Sequence, residues 1–308
     1  MRIQKCIKFS AILILFSFAN AEKYRGEILR LFYLPNSVGM GNTGVAYTPN
    51  PLFSTINPAI KTAGSAAYFS HSEIYSGFIS LESAYLYSGD LLQGLGSGIF
   101  INILHSDKLD VTEITDSSST PEEGNINIIT RKPYFFYNIN IITSREINNK
   151  AGFGISLKIF REQFYDYAEN GIGVDIGYFL QTQKVNYGIV LRDAFYSVFK
   201  GNSIETLSPS VLAGINITQD KIRWNLELEV FSDGPYPGAL FSYRNFSLEG
   251  RTGFSYSINP NIDIRFGFQR GYLSAGIGLK YIRFLLDYSL SPHPDLELSH
   301  RIGAGICF

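Results

Sequence analysis

The chain has 308 residues, of which 45% are apolar, 15% aromatic and only 17% charged, with a formal net charge of −1 at pH 7. The high apolar and aromatic content excludes a disordered chain. Soluble domains carry roughly 25% charged residues, so the charged fraction is low even for a folded protein. The near-zero net charge, without a basic stripe, also excludes a nucleic-acid-binding protein.

Residues 1–21 have the layout of a secretory signal peptide that is cleaved on export. Basic residues precede a short apolar run (residues 9–18), which ends in the small-x-small sequence Ala-Asn-Ala at residues 19–21. The run is too short to cross a bilayer as a helix. After cleavage Cys307 is the one cysteine left, so no internal disulfide or multi-thiolate metal site can form.

Residues 22–64 are predicted to form a plug or hatch-like segment ahead of the main domain. The stretch 39–44 fits the G-x-G-x-x-G pattern of dinucleotide sites, but that reading needs a following helix and an acidic residue about 20 positions later. Several prolines prevent a long helix here, and no Asp or Glu lies between Gly44 and Glu73. Two interpretations of this stretch remain: a close-packed turn, or a plug whose glycines let it bend inside a lumen. Asn57-Pro58-Ala59 is predicted to be a rigid turn, with gating of a pore as the alternative reading. The candidate plug residues are Gly39, Met40, Gly41, Gly44, Asn57, Pro58 and Ala59.

From residue 65 to 308 apolar side chains alternate with polar or small ones, a period of two that is typical of strands. In residues 172–180, for example, Ile172, Val174 and Ile176 lie on the face opposite Asp175. Strands are predicted near residues 66–71, 77–87, 97–105, 134–143, 153–159, 172–181, 185–192, 209–218, 223–230, 239–256, 262–269, 272–280, 282–290 and 296–308. Residues 106–124 are polar and acidic and are predicted to be an exposed loop, with residues 197–208 as a candidate for a second loop.

Alternation of this kind fits either a soluble β-sandwich, with its apolar face inside, or a transmembrane barrel, with its apolar face toward lipid. Long strands, opposite charges within single polar faces and the excess of Tyr and Phe favour the barrel. We therefore predict an all-β fold, a transmembrane antiparallel β-barrel of about 14 strands (12–16), spanning residues 65–308.

Charged residues on the polar faces are predicted to point into the lumen. They form either a paired network that fills a narrow barrel or a polar lining that selects or gates a solute. These predicted lumen-facing charges are Asp175, Arg223, Glu227, Glu229, Asp263, Arg265, Arg283, Asp287, Glu297 and Arg301.

Residues 36–60 (NSVGMGNTGVAYTPNPLFSTINPAI), with the glycines of 39–44 and the later Asn57-Pro58-Ala59, resemble the signature of the PorV/PorQ family of outer-membrane barrels, relatives of the FadL-type transporters. The chain also ends like that family, with an Asp-Tyr pair at 287–288, a His-Arg pair at 300–301 and a terminal aromatic, Phe308. The resemblance implies a FadL-like barrel of the bacterial outer membrane, with its N-terminal segment in or against the lumen. It implies one of two roles: passage of hydrophobic solutes, or service in type IX protein secretion.

Three functional hypotheses follow from this prediction. A transporter should have a side opening or pocket lined by Phe and Leu that reaches the lumen. A non-transporting scaffold or docking barrel of a secretion or surface-attachment complex should have a plugged lumen and protein partners. The third hypothesis is a soluble exported β-protein.

No enzyme, cofactor or metal site is expected, since no nucleophile motif and no zinc-like histidine spacing occurs. The expected partners are outer-membrane lipid, the barrel-assembly machinery, for which Phe308 would be the C-terminal assembly signal, and either a hydrophobic small molecule or secretion-system proteins.

Overall fold

A computed structural model of the chain describes residues 34–92, 94–114, 126–165, 167–200, 203–232, 234–235, 238–293 and 297–308. The predicted signal peptide and the first part of the predicted plug, residues 22–33, lie outside the described residues. Within the described ranges, no helix has the length and apolar content needed to cross a membrane.

A short helix α1 (Pro35–Val38) and a 3₁₀ helix (Pro51–Thr55) precede a series of strands. The strands are β1 (Ala66–Ile74), β2 (Ile79–Leu92), β3 (Leu95–Ile114), β4 (Ile126–Asn148), β5 (Ala151–Phe164), β6 (Tyr167–Gln181), β7 (Val185–Lys200), β8 (Ser203–Thr206), β9 (Ser210–Gln219), β10 (Ile222–Phe231), β11 (Phe241–Tyr243), β12 (Phe246–Asn259), β13 (Ile262–Gln269), β14 (Tyr272–Tyr281), β15 (Phe284–His293) and β16 (Glu297–Cys307).

These strands form one antiparallel sheet that closes on itself. Each wall strand pairs with its neighbour in sequence, and β1 pairs with β16 to complete the ring. The short strands β8 and β11 are additions on β7 and β12, so the wall has 14 strands, as predicted. Closure pairs the backbone of every wall strand on both sides, which is what lipid requires of a spanning segment.

The apolar side chains of the strands point outward. In β3, Ile99, Ile101 and Ile103 are exposed, whereas the intervening Phe100 and Asn102 are buried inside the barrel. The same alternation runs along the other long strands, as in the burial pattern of β6. A sandwich would bury the isoleucine face between two sheets, so the sandwich alternative is wrong and the predicted barrel is confirmed.

The two ends of the barrel differ in the length of their connections. The end that holds both the start of β1 and the end of β16 has short turns, such as 220–221, 260–261 and 282–283. Longer connections, including those that hold β8 and β11, lie at the opposite end. Outer-membrane barrels have short periplasmic turns and longer extracellular loops. The end with the short turns is therefore the periplasmic end, and the end with the longer connections is the extracellular end.

The predicted loops were wrong in part. Strand β3 continues to Ile114, so the first half of the predicted loop 106–124 is strand, while residues 115–125 lie outside the described residues. Strand β7 reaches Lys200 and β8 occupies Ser203–Thr206 within the predicted loop 197–208. The predicted strand 239–256 is divided by a turn at Arg244, which has a positive φ of 52°. Strand extensions beyond the membrane have water on both faces, so they lack the apolar alternation that the prediction relied on.

Candidate functional site

The described part of the predicted plug, residues 34–64, lies inside the barrel and is buried along most of its length. Its α1 helix packs against β14, β15 and β16, and its 3₁₀ helix packs against β1, β2 and β4. Two tyrosines of β2 bind it: the Tyr85 hydroxyl donates to the Pro51 carbonyl (2.9 Å), and the Thr62 amide donates to the Tyr87 hydroxyl (3.1 Å). The segment therefore forms part of the lumen's core.

The glycine-rich stretch 39–44 forms a tight turn rather than a nucleotide-binding loop. The chain leaves α1 through Gly41 and Asn42, both with positive φ (66° and 60°). The Ser37 hydroxyl donates to the Thr43 carbonyl (2.8 Å), and the Thr43 hydroxyl donates to the Met40 carbonyl (2.9 Å). These bonds satisfy the carbonyls of the turn internally, which leaves the next amides of the chain to bind the wall.

Glu227 of β10 holds the plug at its next two residues. One carboxylate oxygen, Oε1, accepts hydrogen bonds from the Gly44 amide (2.6 Å) and from the Val45 amide (2.7 Å). The side chain of Glu227 is only 3% exposed. One buried oxygen thus satisfies two successive backbone amides of the plug, so Glu227 is a major attachment point between plug and wall.

Asn57 ties two parts of the plug to β6. Its Nδ2 donates to the Val45 carbonyl (2.8 Å) and to the Tyr178 carbonyl (3.2 Å), while its Oδ1 accepts from the Ala59 amide (3.0 Å). The side chain uses both donor and acceptor groups and is fully buried. The Asn57-Pro58-Ala59 stretch is thus a turn fixed against the barrel wall, as its composition suggests.

Inward-facing glycines of the wall let the plug approach the strands directly. A Cβ atom added at any of them would lie less than 3.0 Å from the plug. The glycines that face plug backbone or side-chain atoms in this way are Gly89, Gly152, Gly154, Gly177, Gly188, Gly214, Gly253 and Gly267. The high glycine content is the sequence signal for this close contact between plug and wall, and the prediction from sequence did not use it.

Most of the predicted lumen-facing charges lie inside the barrel, and all of these except Glu227 and Arg301 form ion pairs with described residues. Asp175 accepts from Lys158 (2.7 Å), which also binds Asp193 (2.8 Å). The Asp193 amide, at a position of positive φ, donates to the Asp175 carboxylate (2.9 Å). Lys158 and Asp193 were absent from the predicted set. Asp193 occupies an irregular part of β7, which alternation cannot place on either face.

A second group of charges connects β7, β10, β12 and the turn after β13. Glu229 binds Arg192 (3.2 Å) and Arg251, and Glu249 binds Arg251 (2.8 Å) and Arg270 (2.8 Å). Of these five residues only Glu229 was in the predicted set. Glu249 and Arg251 belong to the weakly alternating region 236–256, where strand faces are hard to assign from sequence.

The remaining predicted pairs lie on β10, β13 and β15. Arg265 donates to Asp287 (2.5 Å), which also accepts from the Tyr68 hydroxyl (3.1 Å). Arg223 and Asp263 are half-buried near the periplasmic end, with 3.8 Å between guanidinium nitrogen and carboxylate oxygen.

Two predicted lumen-facing charges are wrong. Arg283 is exposed in the turn between β14 and β15, because that strand begins only at Phe284. Glu297 is exposed at the extracellular start of β16 and has a positive φ of 66°, so the alternation of its strand does not extend to it. Arg301, by contrast, is buried in the lumen. Phe308 is exposed at the periplasmic end, and its backbone pairs with that of Ser65.

A pocket of about 730 Å³ opens on the outer, lipid-facing surface between β7 and β13. Its walls are apolar and come from two register rows of outward residues, and from Leu240 of the loop after β10. The outward lining residues are Tyr187, Ala213, Ile215, Leu226, Leu228, Leu240, Gly250, Thr252 and Phe268.

The floor of this wall pocket belongs to the adjacent inward row. Gly188, Gly214, Glu227 and Arg251 are register partners on β7, β9, β10 and β12, and all four line the pocket. On the lumen side Val45 rests directly on Gly188 and Gly214. Because neither glycine has a side chain, a single layer of backbone separates the wall pocket from the plug.

Among the described residues, no group of three or more His, Cys, Asp or Glu is placed to hold a metal ion. In the part of the chain that the structure describes, the charged side chains of the lumen other than Arg301 mostly bind one another or the plug, so the site consists of a plug, its attachment points and the wall pocket.

Comparison with known proteins finds similarity in fold alone. No family model matches the chain, and no curated protein matches it. Among solved structures, the CymD monoaromatic hydrocarbon channel is 14% identical with a TM-score of 0.54, covering 89% of this chain and 96% of that one. The Pseudomonas putida toluene transporter TodX is similar at 13% identity and a TM-score of 0.55, covering 89% and 97%. The chain therefore shares the FadL-like barrel fold of these channels, which confirms the predicted fold. Its closed wall with an apolar outer face agrees with the predicted place in the bacterial outer membrane.

Proposed function

We propose that the protein is an outer-membrane channel of PorV/PorQ type that binds small apolar solutes and admits them across the outer membrane. The observation that carries this proposal is the wall pocket, an apolar cavity on the lipid-facing surface whose floor is in contact with the plug. The similar solved structures are a monoaromatic hydrocarbon channel and a toluene transporter, which supports the same solute class.

In this proposal the plug closes the lumen and the wall pocket receives the solute beside the membrane. Passage requires Gly44 and Val45 to leave Glu227, and the wall to open where Gly188 and Gly214 face each other. No side chain fills that part of the wall, so few packing contacts have to be broken there. No covalent chemistry is involved.

The test is to fill the wall pocket from the lipid side. Ala213 lines the pocket, and Ala304 occupies an equivalent outward position on β16, away from it. Bacterial cells that lack a hydrocarbon channel would produce the wild type, Ala213→Trp or Ala304→Trp, and entry of radiolabelled toluene would be timed. Trp is well tolerated on a lipid-facing surface near the interface, so both variants should reach the membrane in equal amounts.

We expect Ala213→Trp to reduce entry to the level of cells without the protein, and Ala304→Trp to behave as wild type. Equal entry through both variants, or entry no faster with the wild type than without it, would refute the channel.

A second function, a scaffold for protein secretion, is favoured by one observation: the plug residues occupy the lumen and are bound at many points. A permanently closed barrel of this type would act through protein partners at its extracellular loops. Affinity purification from detergent-solubilised outer membranes tests it, since recovery of the barrel alone argues against the scaffold.

A further inference from the structure

Arg301 differs from the buried Arg251 and Arg265 because no carboxylate of the described residues pairs with it. Its side chain is buried, its Nη1 donates to the Ser291 hydroxyl (2.8 Å), and its Nε has no hydrogen-bond partner. Within the described residues no carboxylate forms an ion pair with it, whereas Arg265 and Arg251 each bind one or more. The nearby Asp287 already binds Arg265 and Tyr68.

The neighbours of Arg301 have unused hydrogen-bonding groups as well. Ser289 on β15 and Ser72 on β1 are its register partners on either side, and each has a buried hydroxyl without a partner. These two serines place free hydroxyl groups on both sides of a guanidinium that has no carboxylate partner among the described residues. Hydroxyl and guanidinium donors together suit an anionic partner.

The same register row becomes apolar immediately beyond Ser72. Ser72 pairs with Leu81, Leu81 with Leu104, and Leu104 with Phe136. Phe136 then stacks on Phe160, whose ring stacks in turn on Tyr196 with centroids 5.2 Å apart. Neighbouring strands are about 4.8 Å apart, so the polar head and apolar tail of this row together extend over roughly 20 Å of the lumen wall.

We infer that this row is a binding site for an aromatic carboxylate, with the carboxylate on Arg301, Ser72 and Ser289 and the aromatic tail along Leu81 and Leu104, toward Phe136. The inference rests on the proposed function and narrows it from apolar solutes in general to an anionic subclass. Two plug residues, Leu34 and Leu52, belong to the same apolar cluster, so a bound tail would displace them.

An unpaired buried cation is costly, and its removal should not harm folding. Arg301→Gln is therefore expected to unfold at an equal or higher temperature than the wild type. Arg301→Lys keeps the charge, and Arg283→Gln removes an arginine from an exposed turn and is the matched control.

Binding would be measured by calorimetry with the full chain in lipid nanodiscs, after subtraction of empty nanodiscs. The probes are 4-phenylbutyrate and the neutral alcohol 4-phenylbutanol, which differ only in the anionic group. We expect the wild type and Arg283→Gln to bind the carboxylate about tenfold more tightly than the alcohol, because a charge-assisted hydrogen bond is worth that much or more. Arg301→Gln should lose this preference, and Arg301→Lys should keep part of it.

Equal affinity of the wild type for the two probes, or a preference that survives in Arg301→Gln, would overturn the anion site. Binding of neither probe would overturn it too. Entry of toluene into cells is measured separately, so a failure of the anion site with normal toluene entry would leave the proposed channel intact, whereas loss of both would remove the proposed function.

Discussion

Glu227 connects three features of the molecule within one side chain. Its Oε1 accepts the Gly44 and Val45 amides, its Oε2 is buried without a hydrogen-bond partner, and the residue also lines the floor of the wall pocket. Without this carboxylate two buried amides would lose their acceptor. A substitution at Glu227 should therefore weaken the attachment of the plug more than it weakens the fold of the barrel.

The corresponding prediction compares Glu227→Ala with Glu227→Gln. Alanine leaves two buried N–H groups unsatisfied, at a cost of about 2 kcal/mol or more, whereas the amide oxygen of glutamine can still accept. Hydrogen exchange at Gly44 and Val45 should become about 30-fold faster or more in Glu227→Ala, since 1.4 kcal/mol corresponds to a factor of ten. Glutamine should preserve most of the protection. If alanine left exchange at these two amides unchanged, Glu227 would not be an attachment point.

The plug lies close against the strands because the inward face of several strands alternates glycine with polar residues. In β12 and β13, Gly253 and Gly267 are register partners, and both lie against residues 40–41 of the plug. The strands therefore have two roles: their outer faces contact lipid and their glycine positions form the seat of the plug.

Gly267→Ala tests this close contact between the plug and the strands. A Cβ there would overlap the backbone of Met40 and Gly41, which cannot move aside as a flexible side chain could. The plug should shift from the wall, so that proteolysis within residues 34–64 becomes faster while the barrel stays folded. Gly64→Ala is the control, because its added Cβ would be 3.6 Å from the nearest atom, an ordinary contact. Wild-type cleavage of Gly267→Ala would contradict the close approach.

At the scale of the whole molecule, stability depends on ring closure and on an apolar outer surface. The ring closes where β1 pairs with β16, which joins the two ends of the described barrel. Ile302 lies near the middle of β16 and is exposed on the outer face. In a bilayer this position contacts acyl chains.

Ile302→Lys should therefore destabilise the folded barrel in lipid by about 2–4 kcal/mol, the cost of a cation near the bilayer midplane. Ile302→Val keeps the surface apolar and should have little effect. Reversible unfolding in lipid vesicles measures the difference. A lysine variant as stable as the wild type would show that this face is in water.

Much of the fold could be predicted from the sequence, because the deciding pattern is local. Alternation along single strands is enough to indicate β-structure, strand length suits a tilted membrane crossing, and charged polar faces favour a wet lumen. The errors have the same physical origin. Arg283 and Glu297 lie where a strand begins, and strands β3 and β7 continue into water, where alternation no longer reports on lipid.

The site depended on contacts between residues far apart in the chain, and only the tertiary structure could decide it. Lys158 binds a carboxylate on each of the next two strands, and Gly44 binds Glu227 across 183 positions of sequence. By itself the sequence determined the barrel fold, since a strand's pattern shows which of its faces meets lipid. The closed structure alone decided which charges find a partner, where the plug rests and that Arg301 has no carboxylate partner among the described residues, because pairing depends on register around a ring.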